Sequence, residues 1–330
     1  MRLGEILLQE GIVDVETLER ALSIQQKSGA QIGDVLIALG KINPLQLAKA
    51  LSLQFNLPYR NAVDYPANPE TLKEVVLGVG EQFLRTNAIL PLGRKGNALG
   101  VVTSRPNAKE PLEALAKAMN AELFLFVCSE REIQTALTNH FRDSYTEEST
   151  MGLFFRNPEE SAMETFTTLQ LVLLYALVTL FLFGMLFRGR ETLLVLFFLI
   201  NVFYVFSLGF KLLASILGAR TEILEQVSDE EAAALDPKTL PVYTILLPMY
   251  KEPEVVKHLI AGIMEMDYPL EKLDVKILLE EEDTVTYDAV RALRPPANFE
   301  IVRVPYSVPK TKPKACNYGL LLARGEITVI

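Results

Sequence analysis

The chain has 330 residues, 50% of them hydrophobic, and a formal net charge of −9 from 32 basic and 41 acidic side chains. That length accommodates two or three domains, and the acidic balance excludes a nucleic-acid-binding surface spread over the whole chain while allowing a local anion site. Cys128 and Cys316 match no metal-ligand spacing and read as reduced thiols of cytosolic segments.

The first 54 residues repeat themselves. "RLGEILLQEGIVDVETLERALSIQ" (2–25) lies over "QIGDVLIALGKINPLQLAKALSLQ" (31–54) at a constant offset of 29. Gly4/Gly33, Leu7/Leu36, Gly11/Gly40, Leu18/Leu47 and Gln25/Gln54 are identical pairs, whereas Arg2 of the first copy faces Gln31 of the second. Each copy predicts a short helix, a glycine break and a longer helix. Asp14 and Asn43 are the expected N-caps, and Pro44 suits the first helical position. Two such units side by side can offer paired helix N-termini to phosphate, with Arg2 as an added planar cation. A quasi-twofold protein pair suits a two-fold ligand. A repeat used only for packing satisfies the spacing equally well.

These motif positions resemble the tandem cyclic di-GMP-binding motif of the N-terminal domain of type II secretion and pilus ATPases, the MshEN or GspE N-terminal domain. The resemblance implies polar ligand contacts from Arg2, Gln25 and Asp34 and apolar ones from Leu3, Leu7, Leu8, Ile32 and Leu36. Gly4, Gly11, Gln31, Gly33, Gly40 and Gln54 complete the motif positions. Gln31 stands where the family usually has arginine, which removes a cation. Residues 1–58 are expected to hold the tandem helical motifs and 59–145 the α+β remainder of that domain. "ILPLGRKGNALGVVTSRPN" (89–107) predicts a strand pair around a glycine-bearing turn, and "LFLFVCSEREIQTALTNHF" (123–141) a strand leading through a Ser129 cap into a helix. No G-x-x-x-x-G-K-[ST] phosphate loop occurs in the sequence, so the ATPases are no guide to the rest.

After a linker (146–164), Thr165 to Phe187 runs 23 residues without a charge and Thr192 to Phe210 another 19. Each run spans a hydrocarbon core of about 30 Å as a helix. Residues 165–187 and 192–218 therefore predict two transmembrane helices, joined by Arg188–Glu191 as a hairpin. Both long flanks then share one side of a lipid bilayer. Loop charge (Arg188 and Arg190 against Arg156, Lys211 and Arg220) orients the hairpin only weakly.

Beyond an acidic linker (219–240), strands and helices alternate. Strands are predicted at 241–248, 272–280, 299–304 and 326–330, the last read as buried, and helices at 252–266, 286–294 and 314–325. A run of βα units predicts a parallel doubly wound sheet, whose ligand site lies at the carboxyl ends of the strands. Tyr250 and Glu252 follow the first strand, Glu280 and Asp283 close the second, and "PKTKPKACNYG" (309–319) carries three lysines. Carboxylates for a base or ribose and lysines for a diphosphate fit a nucleotide-diphosphate donor. An acidic run and a lysine cluster also occur as plain solvated surface.

"LPMYKEPEVV", "LLEEEDTVT" and "PKTKPKACNYGLLLARGEITVI" resemble, in order, the glycosyltransferase family 2 (GT-A, Rossmann-like) pattern. Within it, they resemble membrane-bound members related to phage adsorption protein B and to cellulose- and hyaluronan-type synthases. The resemblance implies that 241–330 is the front part of such a domain, using a UDP-type sugar donor. Tyr250 and Glu252 would frame the base, Glu280 and Asp283 the uracil and ribose, and Lys314 and Asn317 the diphosphate. The family's D-x-D metal motif, which holds Mg or Mn, and its catalytic base are expected beyond Ile330, so the chain itself carries no metal site and no catalytic residue. The expectation is thus the front of a multi-pass protein of the bacterial inner membrane, its soluble parts in the cytosol. It would make an envelope or exported glycan under cyclic di-GMP control, beside envelope export partners. The alternative is a non-catalytic membrane-anchored sensor or scaffold.

Overall fold

A computed structural model describes residues 1–62, 67–163, 165–220 and 227–330. Residues 63–66, 164 and 221–226, which fall in the expected α+β remainder and the two expected linkers, lie outside the described residues. The chain divides into two compact units: Met1–Gly152 together with Asp236–Ile330, and the intervening Leu153–Leu235.

The first unit begins with the repeat. Its helices are α1 (Leu3–Gln9), α2 (Val15–Ser28), α3 (Ile32–Ala38) and α4 (Pro44–Phe55). Gly11 and Gly40 sit at φ 64° and 65°, the left-handed turn that a residue without Cβ adopts at low cost. The Asp14 carboxylate accepts from the Thr17 N–H at 2.7 Å and Asn43 from that of Gln46 at 2.9 Å, satisfying donors a helix start leaves open. Ile6, Leu7, Val35, Leu36 and Ala50 form the core between the copies.

Next come α5 (Pro69–Val79), α6 (Glu81–Thr86), β1 (Ile89–Lys95), β2 (Ala98–Thr103), α7 (Lys109–Met119), β3 (Glu122–Val127) and α8 (Glu130–His140). β1 pairs antiparallel with β2, and β2 parallel with β3. Ser129 caps α8 in a reciprocal box with Glu132. A further helix, α9 (Arg142–Arg156), continues where a linker was expected from 146.

In the second unit, α10 (Thr168–Arg220) is two long apolar runs interrupted by Arg188, Arg190 and Glu191, and it is the one helix among the described residues long and apolar enough to cross a membrane. Its backbone leaves helical geometry at Arg188 (φ −145°, ψ 60°). A Cβ on Gly184 would stand 2.7 Å from Oγ1 of Thr192, whereas a continuous helix separates residues eight apart by about 12 Å. The short α11 (Asp229–Ala233) follows, with the Ser228 hydroxyl accepting from the Glu231 N–H at 3.2 Å.

The first unit resumes with β4 (Tyr243–Met249), α12 (Val256–Met264), β5 (Leu273–Glu280), α13 (Thr284–Leu293), β6 (Phe299–Val304), α14 (Lys312–Leu320) and β7 (Ile327–Val329). The four strands are parallel in the order β6-β5-β4-β7. β5 is buried along its whole length, as a central parallel strand should be. β7 corrects the expectation of a buried final strand: among the described residues it pairs only with β4, at the sheet edge, and Ile327 and Val329 stay exposed. One face of the sheet is closed from the N-terminal side. Tyr145 of α9 packs with Leu246, Leu278, Val302 and Tyr318, while Asn317 Nδ2 donates to the Ser149 carbonyl at 3.2 Å.

Candidate functional site

A cleft of about 500 Å³ opens where the second repeat copy meets the amino ends of the C-terminal strands. That volume lies in the range of small-molecule sites. From the repeat, it gathers Leu3, Gln31, Ile32, Gly33 and Asp34. Arg105 and Glu130 line it from the first domain, and Asp274 and Arg324 from the C-terminal segment. The remaining expected ligand residues are distributed differently. Leu7 and Leu36 are fully buried core. Gly4 and Gly33 face Leu18 and Leu47, with a built Cβ 3.1 and 2.8 Å from them. Arg2, Leu8, Gly11, Gln25, Gly40 and Gln54 do not line the cleft.

One ion-pair chain forms the wall opposite Asp34. Arg324 donates from Nε and Nη2 to Oδ1 of Asp274 at 3.0 and 2.8 Å, and from Nη1 to Glu130 at 2.7 Å. Glu130 also takes Arg105 at 3.2 Å. Asp274 is 1% exposed and lies 3.1 Å from Lys276 Nζ, which reaches on to Glu300. Burial opposes the charge on Asp274, but Arg324 and Lys276 overcome it and hold the carboxyl at about 2. Asp34 has no such bond among the described residues. Although Asp34 itself is exposed, desolvation by the cleft walls around it pushes its carboxyl up, with Glu130 acting in the same sense and Arg105 and Arg324 against it. The arrangement therefore presents guanidinium N–H donors, a carboxylate acceptor and an apolar floor, the combination that holds a phosphodiester and a purine edge.

At the carboxyl ends of the strands, the expected donor-site residues meet one another. Lys314 Nζ donates to Glu280 Oε2 at 2.9 Å, with both groups buried. The Tyr250 hydroxyl and Lys310 Nζ donate to Glu282 at 3.0 and 2.7 Å. Asp283 accepts the backbone N–H groups of Lys251 at 2.6 Å and Thr286 at 3.0 Å, which outweigh its burial and lower its pKa. The Glu252 N–H donates to Thr286 Oγ1 at 3.1 Å. Asn317 is turned instead toward α9. Among the described residues, no three His, Cys, Asp or Glu side chains converge on a metal position.

Sequence reasoning missed Arg85, Arg105, Glu130, Asp274 and Arg324. Arg85 is 7% exposed and donates to Tyr145 Oη at 2.9 and 2.6 Å and to Gln134 Oε1 at 2.9 Å. The one available signal was the Asp274–Lys276 pair of opposite charges at the start of "LDVKILLE", a segment whose alternation with apolar residues reads as a strand.

Comparison with known proteins places the N-terminal part. The MshEN domain model matches residues 55–146. The type IV pilus assembly ATPase PilB of Myxococcus xanthus is 30% identical over 142 residues, covering 43% of this chain and 24% of the ATPase. PilB of Thermus thermophilus is 30% identical over 152 residues, covering 46% of this chain and 16% of that protein. The chain thus spans about a quarter or less of the length of these curated relatives. A structure of MshE with cdg is 28% identical, covering 42% of this chain and 99% of that one, at a TM-score of 0.38. The N-terminal domain of XpsE is 24% identical, covering 41% and 91%, at 0.35. Directly behind its tandem helical repeat, this chain carries an MshEN domain at residues 55–146.

Proposed function

We propose that the chain is a cyclic di-GMP receptor module joined through a membrane-spanning segment to the front of a glycosyltransferase. The observation that carries the receptor half is the gathering of Leu3 and Gln31–Asp34 onto one cleft, immediately ahead of an MshEN domain. A solved relative at 28% identity holds the cdg named with it. Asp34 would accept from a guanine edge, and the guanidinium groups opposite would take phosphate.

The break at Arg188 and the closeness of Gly184 to Thr192 support reading α10 as two antiparallel membrane helices. The grouping of Met1–Gly152 with Asp236–Ile330 in one compact unit supports an even number of crossings, and in this reading both soluble segments lie on the cytosolic side of a bacterial inner membrane. The glycosyltransferase half is favoured by the parallel β6-β5-β4-β7 sheet, with Glu280, Glu282, Lys310 and Lys314 beyond its carboxyl ends. Among the described residues no carboxylate cluster could hold the divalent cation such an enzyme uses, and no catalytic step is assigned to them. Under this reading, the UDP-type donor, the metal and the base belong to the whole protein. The same module serving a non-catalytic sensor or scaffold is the second reading, favoured by the mutual pairing of those charged residues.

Calorimetric titration of the full chain in detergent micelles tests the receptor half. Saturable heat with cyclic di-GMP, absent with GTP, is the expected result. No heat at high micromolar ligand overturns it. Measurable UDP binding that is lost in Lys314→Ala would separate the glycosyltransferase reading from the scaffold.

A further inference from the structure

The two repeat copies are unequal in one chemically decisive position. Copy one begins with Arg2, and copy two places Gln31 there. A ligand with two equivalent phosphodiesters, bound across a quasi-twofold pair, therefore meets a guanidinium in one half and a neutral amide in the other. The cleft beside Gln31 is where the fold compensates. Helix α3 packs against the turn at Leu270–Lys272, which brings the amino end of β5 to the second copy. Arg324 enters the same cleft from the loop between α14 and β7.

Resting on the receptor reading above, we infer that Arg324 supplies the second half-site with the cation that Gln31 does not. Arg324 is built for that task. Its guanidinium has five N–H donors in a fixed plane, and Asp274 and Glu130 take three of them, at 3.0, 2.8 and 2.7 Å. The other two have no partner among the described residues, and the side chain keeps 41% of its surface open. Its orientation is fixed by a carboxylate that is itself buried, so little rotamer freedom remains to be lost when a phosphate binds. Arg105 shares Glu130 but is held by that single contact at 3.2 Å and is the weaker candidate.

The ligand then closes across the boundary between the repeat and the C-terminal sheet. Occupancy of the cleft becomes linked to the position of the Asp274–Arg324 wall, because one guanidinium serves both. A module whose half-sites both lay within the repeat would have no such link to the segment behind it.

A double-mutant cycle on the full chain in micelles, titrated with cyclic di-GMP, decides the matter. Arg324→Gln should weaken binding about tenfold or more, the effect of losing one charge-assisted contact. Gln31→Arg, at an exposed position, should bring the Arg324→Gln chain back to within about threefold of the parent and improve the parent much less. Arg105→Gln should change affinity by less than about threefold. Thermal melting of each variant checks that it is folded.

Three results overturn the inference while leaving the receptor reading intact. They are a folded Arg324→Gln chain that binds like the parent, a Gln31→Arg change that shifts both backgrounds by the same factor, and a loss carried by Arg105→Gln instead. A parent chain that does not bind overturns both.

Discussion

Replacing Asp274 with asparagine removes the charge on which the cleft wall converges. Oδ2 accepts from the Thr244 hydroxyl at 3.0 Å and from the Arg324 backbone N–H at 3.1 Å, while Oδ1 takes the Arg324 guanidinium and Lys276. Breaking a buried pair from one side costs about 3–5 kcal/mol, because the partner is left uncompensated. Glu300 and Glu130 remain for Lys276 and Arg324, which points to the lower end, about 3 kcal/mol at pH 7. The pH dependence gives an independent check. The carboxyl falls from the ordinary 3.8 to about 2 on folding. At about 1.4 kcal/mol per tenfold change in proton affinity, that contributes about 2.5 kcal/mol. A depressed folded value means the contribution is complete above the unfolded value and is lost as pH falls from near 4 through about 2. Asp274→Asn should therefore be destabilised at neutral pH and approach the parent at pH 2. Urea unfolding of the full chain in micelles, followed by tyrosine circular dichroism, measures both. A variant within about 1 kcal/mol of the parent at pH 7, or a gap that stays constant down to pH 2, refutes the reasoning.

The remaining predictions use the same preparation. Tyr145→Phe keeps the ring against Tyr318 but takes from Arg85 Nε and Nη2 their shorter acceptor, leaving Glu81 at 3.4 Å and Thr138 at 3.3 Å, and should cost about 1–2 kcal/mol in urea unfolding. Gly325→Ala would place a Cβ 2.6 Å from the Thr244 backbone nitrogen and 2.7 Å from the Val242 carbonyl. Because β4 cannot yield there without losing its ladder, a loss of about 3 kcal/mol is expected, read as a lowered urea midpoint. Burial, reinforced by Glu132, pushes the Cys128 thiol up to about 12. Iodoacetamide at pH 8 should therefore leave Cys128 unmodified in the folded chain and alkylate it after urea unfolding, as peptide mass spectrometry will show.

The features legible in the sequence are those written in local chemistry. Asp14, Asn43 and Ser129 mark helix starts because a short polar side chain reaches an N–H three residues on. Gly11 and Gly40 mark the breaks, and the apolar run around Ile277 marks a strand buried on both faces. The apolar stretch from Thr168 shows itself by length alone. What stayed hidden depends on partners distant in the chain. Arg85 and Tyr145 are 60 residues apart, and Arg324 and Glu130 are 194 apart. No periodicity links such pairs. Leu7 and Leu36 sit at motif positions, yet their side chains fill the core between the repeat copies, and spacing cannot distinguish a residue that supports a ligand site from one that touches the ligand. α9 was missed because its charged residues read as linker, while its buried face consists of Tyr145, Ser149 and Gly152, which carry little hydropathy signal.

The closure of the C-terminal sheet by α9 sets an order of events during synthesis. Tyr145 is made early, but the face it covers is completed only when Tyr318 has left the ribosome, and the Ser149–Asn317 hydrogen bond spans 168 residues. Until then α9 carries an uncovered aromatic surface while the apolar run of α10 is being elongated. Long-range closure of this kind is slow, and the intermediate exposes sticky surface meanwhile. The nascent chain thus passes through a stage in which its first domain is folded but unfinished. Holding that stage open, by stalling translation before Tyr318, should yield a species far more prone to aggregation than the released chain.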